Sequence, residues 1–340
     1  MLYHSFPRPR PENPDDPKSK DKNPPDKGIK ILENILKYGL LLVPEILEYP
    51  SKTDENGKKN RGLSLVQCRL SLTALEDIAK LEDHAKVFGN IHLEFTEKSA
   101  YAIGAIPVMY VPKAPFSAET TSLWNLAFSF IHRLSDLQTI AYMLEYLDEA
   151  VTDYAHEEKI TINAETGSKK EINVAQLRDI LELILEGIVD IRQGKEEKKA
   201  EFSQIQGAIQ GLCSLFYFTD KNNKLLHYFW QREWRIIQGM SINGTVQDRE
   251  LEICEKEAIL DVDKDFFNLE LDFEFRIGRY RRIELCRILQ KIKNKHIREY
   301  INRIFVPSNL YEKVITIAQT VGFPKKKIIP HNDNYAGLKP

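Results

Sequence analysis

Phe229-Trp230-Gln231-Arg232-Glu233-Trp234-Arg235-Ile236 sets one glutamate among two tryptophans and two arginines. A carboxylate written between large apolar faces, with cations beside it, has both its position and its ionisation controlled. At the other end of the chain, Leu2-Tyr3-His4-Ser5-Phe6 is a short apolar strand carrying one histidine. These two strands make the skeleton of an active site if a sheet brings the ends of the chain together. The reading therefore predicts one core assembled from both ends.

Periodicity fills in what lies between. Ile29, Leu32, Ile35 and Leu36 recur at helical spacing, and Gly39 is placed to close that helix. Leu63–Leu72 reads as a buried strand, Leu75–Val87 as a helix broken by Gly89, His92–Phe95 as a second strand and Ile106–Val111 as a third. His84 precedes Gly89 by helical spacing and is placed to bond the last carbonyls of that helix. Leu269–Ile277 alternates as a half-exposed strand, Tyr280–Asn294 fits strand or helix, and Arg303–Pro307 reads as a strand. Ser308 or Asn309 then caps a helix ended by Gly322. Single helices between short strands indicate an α+β fold with a mixed or antiparallel sheet.

The period changes from Leu123 to about Arg192, where apolar residues follow a three-four pattern around a small hairpin at Lys159–Ile172. Two long amphipathic helices so joined form a helical hairpin inserted into the core. Each helix either buries the other's stripe or offers an arm for a partner or a second copy. The expected organisation is residues 1–116 as the N-terminal half of the core, with a flexible polar loop at 7–27. Residues 117–210 form the helical insertion, and residues 211–340 the C-terminal half of the core.

Composition excludes several classes. Lysine plus arginine number 48 against 50 acidic residues, a net charge of −2, so any basic surface is local. Four well-separated cysteines read as reduced cytosolic thiols rather than zinc ligands. No run is apolar enough to span a bilayer and no signal peptide is visible, which gives the expectation of a cytoplasmic protein without a membrane partner. Neither G-x-x-x-x-G-K-[ST] nor G-x-G-x-x-G occurs, against P-loop ATPases and Rossmann dehydrogenases. H-E-x-x-H and G-x-S-x-G are missing too, so no metal site or serine elbow is expected. The densest basic run, Arg276 to Arg287 with Phe275 and Tyr280, and Lys325-Lys326-Lys327 are either solvated faces or tracks for nucleic-acid phosphates.

Tyr3-His4 followed by Ile35-Leu36-Lys37-Tyr38-Gly39-Leu40 resembles the first strand and helix of ADP-ribosyltransferase-like folds. His84, Phe88-Gly89, Leu93-Glu94-Phe95, Gly104, Pro107-Val108 and Tyr110, with Arg232-Glu233-Trp234-Arg235, resemble the AbiGi-type abortive-infection family. This resemblance covers the first hundred or so residues and the stretch around Glu233. It implies phage defence and a transferase-like core. Glu233 takes the role of the carboxylate that cleaves NAD and His4 that of the first-strand histidine on the other ribose. Ser71 is the second-strand serine, Tyr110 the ring stacked on nicotinamide, and Arg235 a further contact to NAD. ADP-ribose would pass to an unidentified protein or nucleic-acid acceptor. The family's antitoxin label implies a second reading, a catalytically silent binding module or sensor paired with a cognate toxin. On the residues alone, Glu233 is either this carboxylate or one half of a surface ion pair with Arg232 or Arg235.

Overall fold

The computed structural model describes residues 1–9, 23, 26–48, 64–112, 159–163, 169–176, 216–219, 232–239, 241–242, 245–271 and 280–332, with isolated positions at 129, 133 and 179. The chain divides into two compact units, Met1–Ala114 with Ser214–Pro340, and Pro115–Cys213. In the smaller unit β7 (Lys159–Asn163) pairs antiparallel with β8 (Lys169–Asn173), the hairpin expected there. Of the helices expected on either side, residues 129, 133, 174–176 and 179 are described and are helical, and the rest lie outside the described residues.

The larger unit has an α+β architecture. In chain order it begins with β1 (Leu2–Phe6), α1 (Lys27–Tyr38), β2 (Leu40–Glu48), β3 (Ser64–Ala74), α2 (Leu81–Phe88), β4 (Ile91–Phe95) and α3 (Glu97–Ala102). Short strands β5 (Ile106–Pro107), β6 (Met109–Pro112) and β9 (Phe216–Thr219) precede β10 (Glu233–Ile237). After the small β11 (Ser241–Ile242), β12 (Thr245–Val246) ladder come β13 (Arg249–Glu250), α4 (Ile253–Asn268), β14 (Glu270–Leu271), β15 (Tyr280–Arg281) and α5 (Arg282–Leu285). The chain closes through β16 (Arg287–Leu289), β17 (Lys291–Ile292), β18 (Lys295–His296), β19 (Arg303–Pro307), α6 (Tyr311–Thr320) and β20 (Ile328–His331). The main sheet runs β13-β16-β2-β3-β1-β4-β19-β20, with β10 beside β3 and β5 beside β10. All its pairs are antiparallel except β19 with β20.

Alternation along each strand sorts residues onto two faces. One carries Leu2, Phe6, Leu70, Leu72, Leu93, Ile236 and Ile304, which pack on Leu32 and Leu36 of α1 and on Val314 and Ala318 of α6. On the other, Tyr3 and Phe305 meet Leu75 and Leu81. Gly39 ends α1 with φ +121°, and a Cβ there would run into the Leu289 carbonyl, so the close crossing of β2 and β16 requires glycine.

Three expectations change. The helix expected from Leu75 is shorter because β3 extends to Ala74, whose N–H donates to the Arg232 carbonyl. Asp77 then starts a 3-10 turn by accepting from Ala79 N–H. The strand expected over Ile106–Val111 splits after Pro107, which has no N–H for a ladder. β5 pairs with β10, and β6 pairs parallel with β9. Ser308 does not cap the last helix, since its hydroxyl donates to the His331 carbonyl and a 3-10 turn, Ser308–Leu310, leads into α6. Of the strand expected at Leu269–Ile277, Glu270–Leu271 pairs with Tyr280–Arg281, and residues 272–279 lie outside the described residues.

The second face also holds a buried ion pair. Glu94, 0% exposed, accepts from Arg303 Nε at 2.8 Å and Nη2 at 2.7 Å, from Tyr3 Oη at 2.9 Å and from Asn302 Nδ2. Burial, then the Glu94 charge, pushes the Tyr3 hydroxyl above its usual range, which keeps it a donor. Removing the arginine strands a buried charge at a cost of roughly 3 kcal/mol, the low end for such pairs because Arg303 is partly exposed. Urea unfolding of Arg303→Met should show that loss, and adding Glu94→Gln should recover much of it. A loss below about 1 kcal/mol would mean the pair is not holding β4 to β19.

Candidate active site

β3 is the strand on which the site depends. β2 pairs with its first half, from Ser64 to Arg69, and β1 pairs with its end, at Thr73 and Ala74. Arg69 and Thr73 also pair with β10, so β2 and β1 share one edge of β3 while β10 takes the other. Between β2 and β1 the ladder leaves Leu70 to Leu72 without a strand on that edge. His4 fills the gap, with Nδ1 3.0 Å from the Ser71 carbonyl oxygen. An acceptor there requires that Nδ1 carry the proton.

On the opposite edge Glu233 stands across from Thr73 and Arg235 across from Ser71, all on one face. The Glu233 carboxylate accepts from the Ser71 hydroxyl, from the Tyr110 hydroxyl and from Arg235 Nε at 2.8 Å. Arg235 Nη2 also donates to Tyr110 Oη at 3.3 Å. A carboxylate offers about four lone-pair sites, so three donors fix its orientation and leave roughly one direction open. Arg235 is 0% exposed and the Glu233 side chain 12%, a charge pair mostly taken out of water with its tip at the surface. The interior pairing of Glu233 with Arg235 differs from the surface ion pair that the sequence also allowed. Arg232 instead comes within 4.0 Å of Glu76.

Four of the five expected site residues thus meet. Tyr110, expected as a stacking ring, presents its hydroxyl to the carboxylate. Arg235, expected to touch NAD, is buried behind Glu233 and orients it. His4 reaches the group through the backbone of Ser71, and among the described residues no hydrogen bond joins it to Glu233. Because Tyr3 is paired with Thr73, the pleat assigns His4 to the opposite face from Glu233. Burial lowers the His4 pKa, and its bond to the Ser71 carbonyl opposes that shift.

Beside this group lies a second one that the sequence did not reveal. Ser5 Oγ lies 2.9 Å from His84 Nδ1 and 2.6 Å from His92 Nδ1, and His84 Nε2 lies 2.9 Å from Thr73 Oγ1. His84 therefore ties α2 to β1 and β3 and does not close its own helix. That closure is made by Gly89, whose N–H donates to the Ala85 carbonyl. The Ser5 hydroxyl has one proton, so one of the two rings must carry its own proton on Nδ1. Burial, then His4, pushes His84 down to about 3, and burial with His84 and His331 nearby holds His92 well below the usual histidine range. The only hint in the sequence is His92-Leu93-Glu94 inside an otherwise apolar strand.

Among the described residues no cluster of three or more His, Cys, Asp or Glu is placed to hold a metal ion, and no helix is long and apolar enough to cross a membrane. Burial pushes the Cys68 thiol up to about 12, so it is not a nucleophile at neutral pH. Compared with known protein families, curated proteins and solved structures, the chain matches none.

The histidine pair predicts acid lability. Their folded pKa values lie below the unfolded value near 6.5, so the unfolded state takes up protons first as pH falls. Stability is complete above about pH 6.5 and is lost below it, by about 1.4 kcal/mol per pH unit for each histidine. Urea unfolding at pH 7.5 and 5.5 should differ by about 2–3 kcal/mol from this pair alone. His84→Gln should flatten the dependence, and a pH-independent midpoint would show the rings to be solvated.

Proposed function

We propose that the larger unit is an ADP-ribosyltransferase-like core that cleaves NAD and passes ADP-ribose to a macromolecular acceptor. The single observation that carries this reading is the Glu233 carboxylate, held by Ser71, Tyr110 and Arg235 beside a strand that also holds His4. Breaking the bond between nicotinamide and ribose builds positive charge on the sugar. A carboxylate fixed before the reaction stabilises that charge without reorganising during it. The bonding pair leaves with nicotinamide and neutralises its ring. A hydroxyl or amine of the acceptor then bonds to the ribose carbon and gives up its proton.

β1 and β10 flank β3, roughly 10 Å apart at ordinary strand spacing. Glu233 would serve the nicotinamide ribose, while His4, on the opposite face of the sheet, acts on this group only through the Ser71 backbone. Arg235 is a positioning residue, and Tyr110 completes the hold on the carboxylate. The resemblance to abortive-infection proteins extends the proposal to phage defence.

One observation favours a second reading. Three internal donors already occupy Glu233, and its side chain is only 12% exposed. A carboxylate so fully engaged also suits a silent binding module, the antitoxin or sensor half of a defence pair.

The two readings separate on incubation of purified protein with labelled NAD and cell lysate. The transferase predicts label on a macromolecule and release of nicotinamide, both reduced at least 100-fold in Glu233→Gln, about the loss expected for one preorganised electrostatic group. Because Gln leaves the buried Arg235 charge without its carboxylate, that variant should lose up to roughly 3 kcal/mol of stability, so its folded state is verified by circular dichroism at the assay temperature. Silence of the wild-type protein would favour the binding module.

A further inference from the structure

We infer that the β17–β18 hairpin and the turn after it form a docking surface for a polynucleotide backbone. The sequence Lys291-Ile292-Lys293-Asn294-Lys295-His296-Ile297-Arg298 holds four fixed cations and no acid, in a chain of net charge −2. Lys293 and Asn294 have φ of +48° and +65°, the left-handed pair of a type I′ turn, so the hairpin is tight and its lysines are displayed on a fixed scaffold.

The anchoring is specific. Ile292 and Ile297 are buried, Tyr300 Oη donates to the Ile292 carbonyl at 3.2 Å, and Arg298 Nη1 donates to the Leu36 carbonyl at the end of α1 at 3.1 Å. Just past this segment, Lys327 Nζ donates to the Ile301 carbonyl at 2.8 Å, and the neighbouring Lys325 and Lys326 are exposed.

Charge usage distinguishes this face from the arginine-rich run before it. In the run that drew attention in the sequence, the described arginines are engaged internally. Arg281 pairs with Glu284, Arg287 with Glu250, and Arg282 stacks on Phe266. Exposed Lys30 and Lys86 also have carboxylate partners. Among the described residues, no carboxylate lies within ion-pair distance of Lys291, Lys293 or Lys295. The nearby Glu299 accepts from the His296 backbone N–H. Crowding like charges on a short hairpin costs free energy that a bound polyanion relieves.

A membrane is the weaker partner. The exposed large apolar residues described are Met1, Tyr101, Met109, Val246, Ile253 and Leu269, and the hairpin and the turn after it contribute none, so nothing in this segment is placed to insert into lipid. The inference is independent of whether Glu233 turns over NAD.

The test is fluorescence anisotropy of labelled single-stranded RNA and DNA of about 20 nucleotides, titrated with protein between about 50 and 200 mM salt. Neutralising about four phosphates predicts a slope of log K against log salt near −3. The Lys291→Glu/Lys293→Glu/Lys295→Glu variant should bind at least tenfold more weakly, with the slope reduced by about 2. All three lysines are exposed, so its melting curve should match wild type, and the Lys→Gln triple replaces it if reversal disturbs the hairpin. No binding at low salt, equal binding and slope in the variant, or binding only to vesicles rich in phosphatidylserine would each overturn the proposal.

Discussion

The two edges of the strand Ser64–Ala74 govern the rest of the structure. A strand has one row of peptide groups on each side, and in this sheet one side is divided between β2 and β1 while the other is taken by β10. The break between β2 and β1 exposes the Ser71 carbonyl to a side chain, and His4 occupies it. The unbroken edge places Glu233 and Arg235 beside the Ser71 hydroxyl. One residue thus touches both candidate groups, through its backbone on one side and its side chain on the other. Residues more than two hundred positions apart meet because they flank the same three-residue window.

Polar groups are concentrated on one face of this sheet. Glu94 with Arg303, Glu233 with Arg235, and Ser5 with His84 and His92 all lie opposite the apolar face that packs on α1 and α6. Each such group is costly to bury alone and acceptable only when its partners are fixed. The interlocking bonds therefore make this face intolerant of small shifts between β1, β3, β4 and β10. The same rigidity suits a carboxylate that must be in place before a ligand arrives. His84 adds α2 to the arrangement, so acid that charges the histidines would loosen the support around the site.

Much of the local structure was legible in the sequence because local signals carried it. The three-four pattern of Ile29 to Leu36 and the stop at Gly39 marked α1. Apolar runs marked β3, β4 and β19, and the odd Arg-Glu-Trp-Arg composition singled out β10. The divided edge of β3 was not legible, since strand order depends on pairings that no local pattern encodes. Pro107 carried a usable sign of a broken strand that an apolar run concealed. The partners of Glu233 were named through a family resemblance, but the stacking role it implied for Tyr110 and the NAD contact it implied for Arg235 differ from the hydrogen bonds both make to the carboxylate. Arg235 lies behind the carboxylate because it alternates onto the same face as Glu233, two residues away. The Ser5, Thr73, His84 and His92 group draws on four separate elements, and only buried geometry unites it.

The proposed function rests on Glu233 meeting the nicotinamide ribose of a dinucleotide. A crystal structure of Glu233→Gln grown with NAD tests it most directly. The account predicts the nicotinamide ribose within hydrogen-bond reach of residue 233, beside Ser71 and Tyr110. NAD bound elsewhere, or excluded from well-diffracting crystals at saturating concentration while Ser71 and Tyr110 keep their positions, would contradict it.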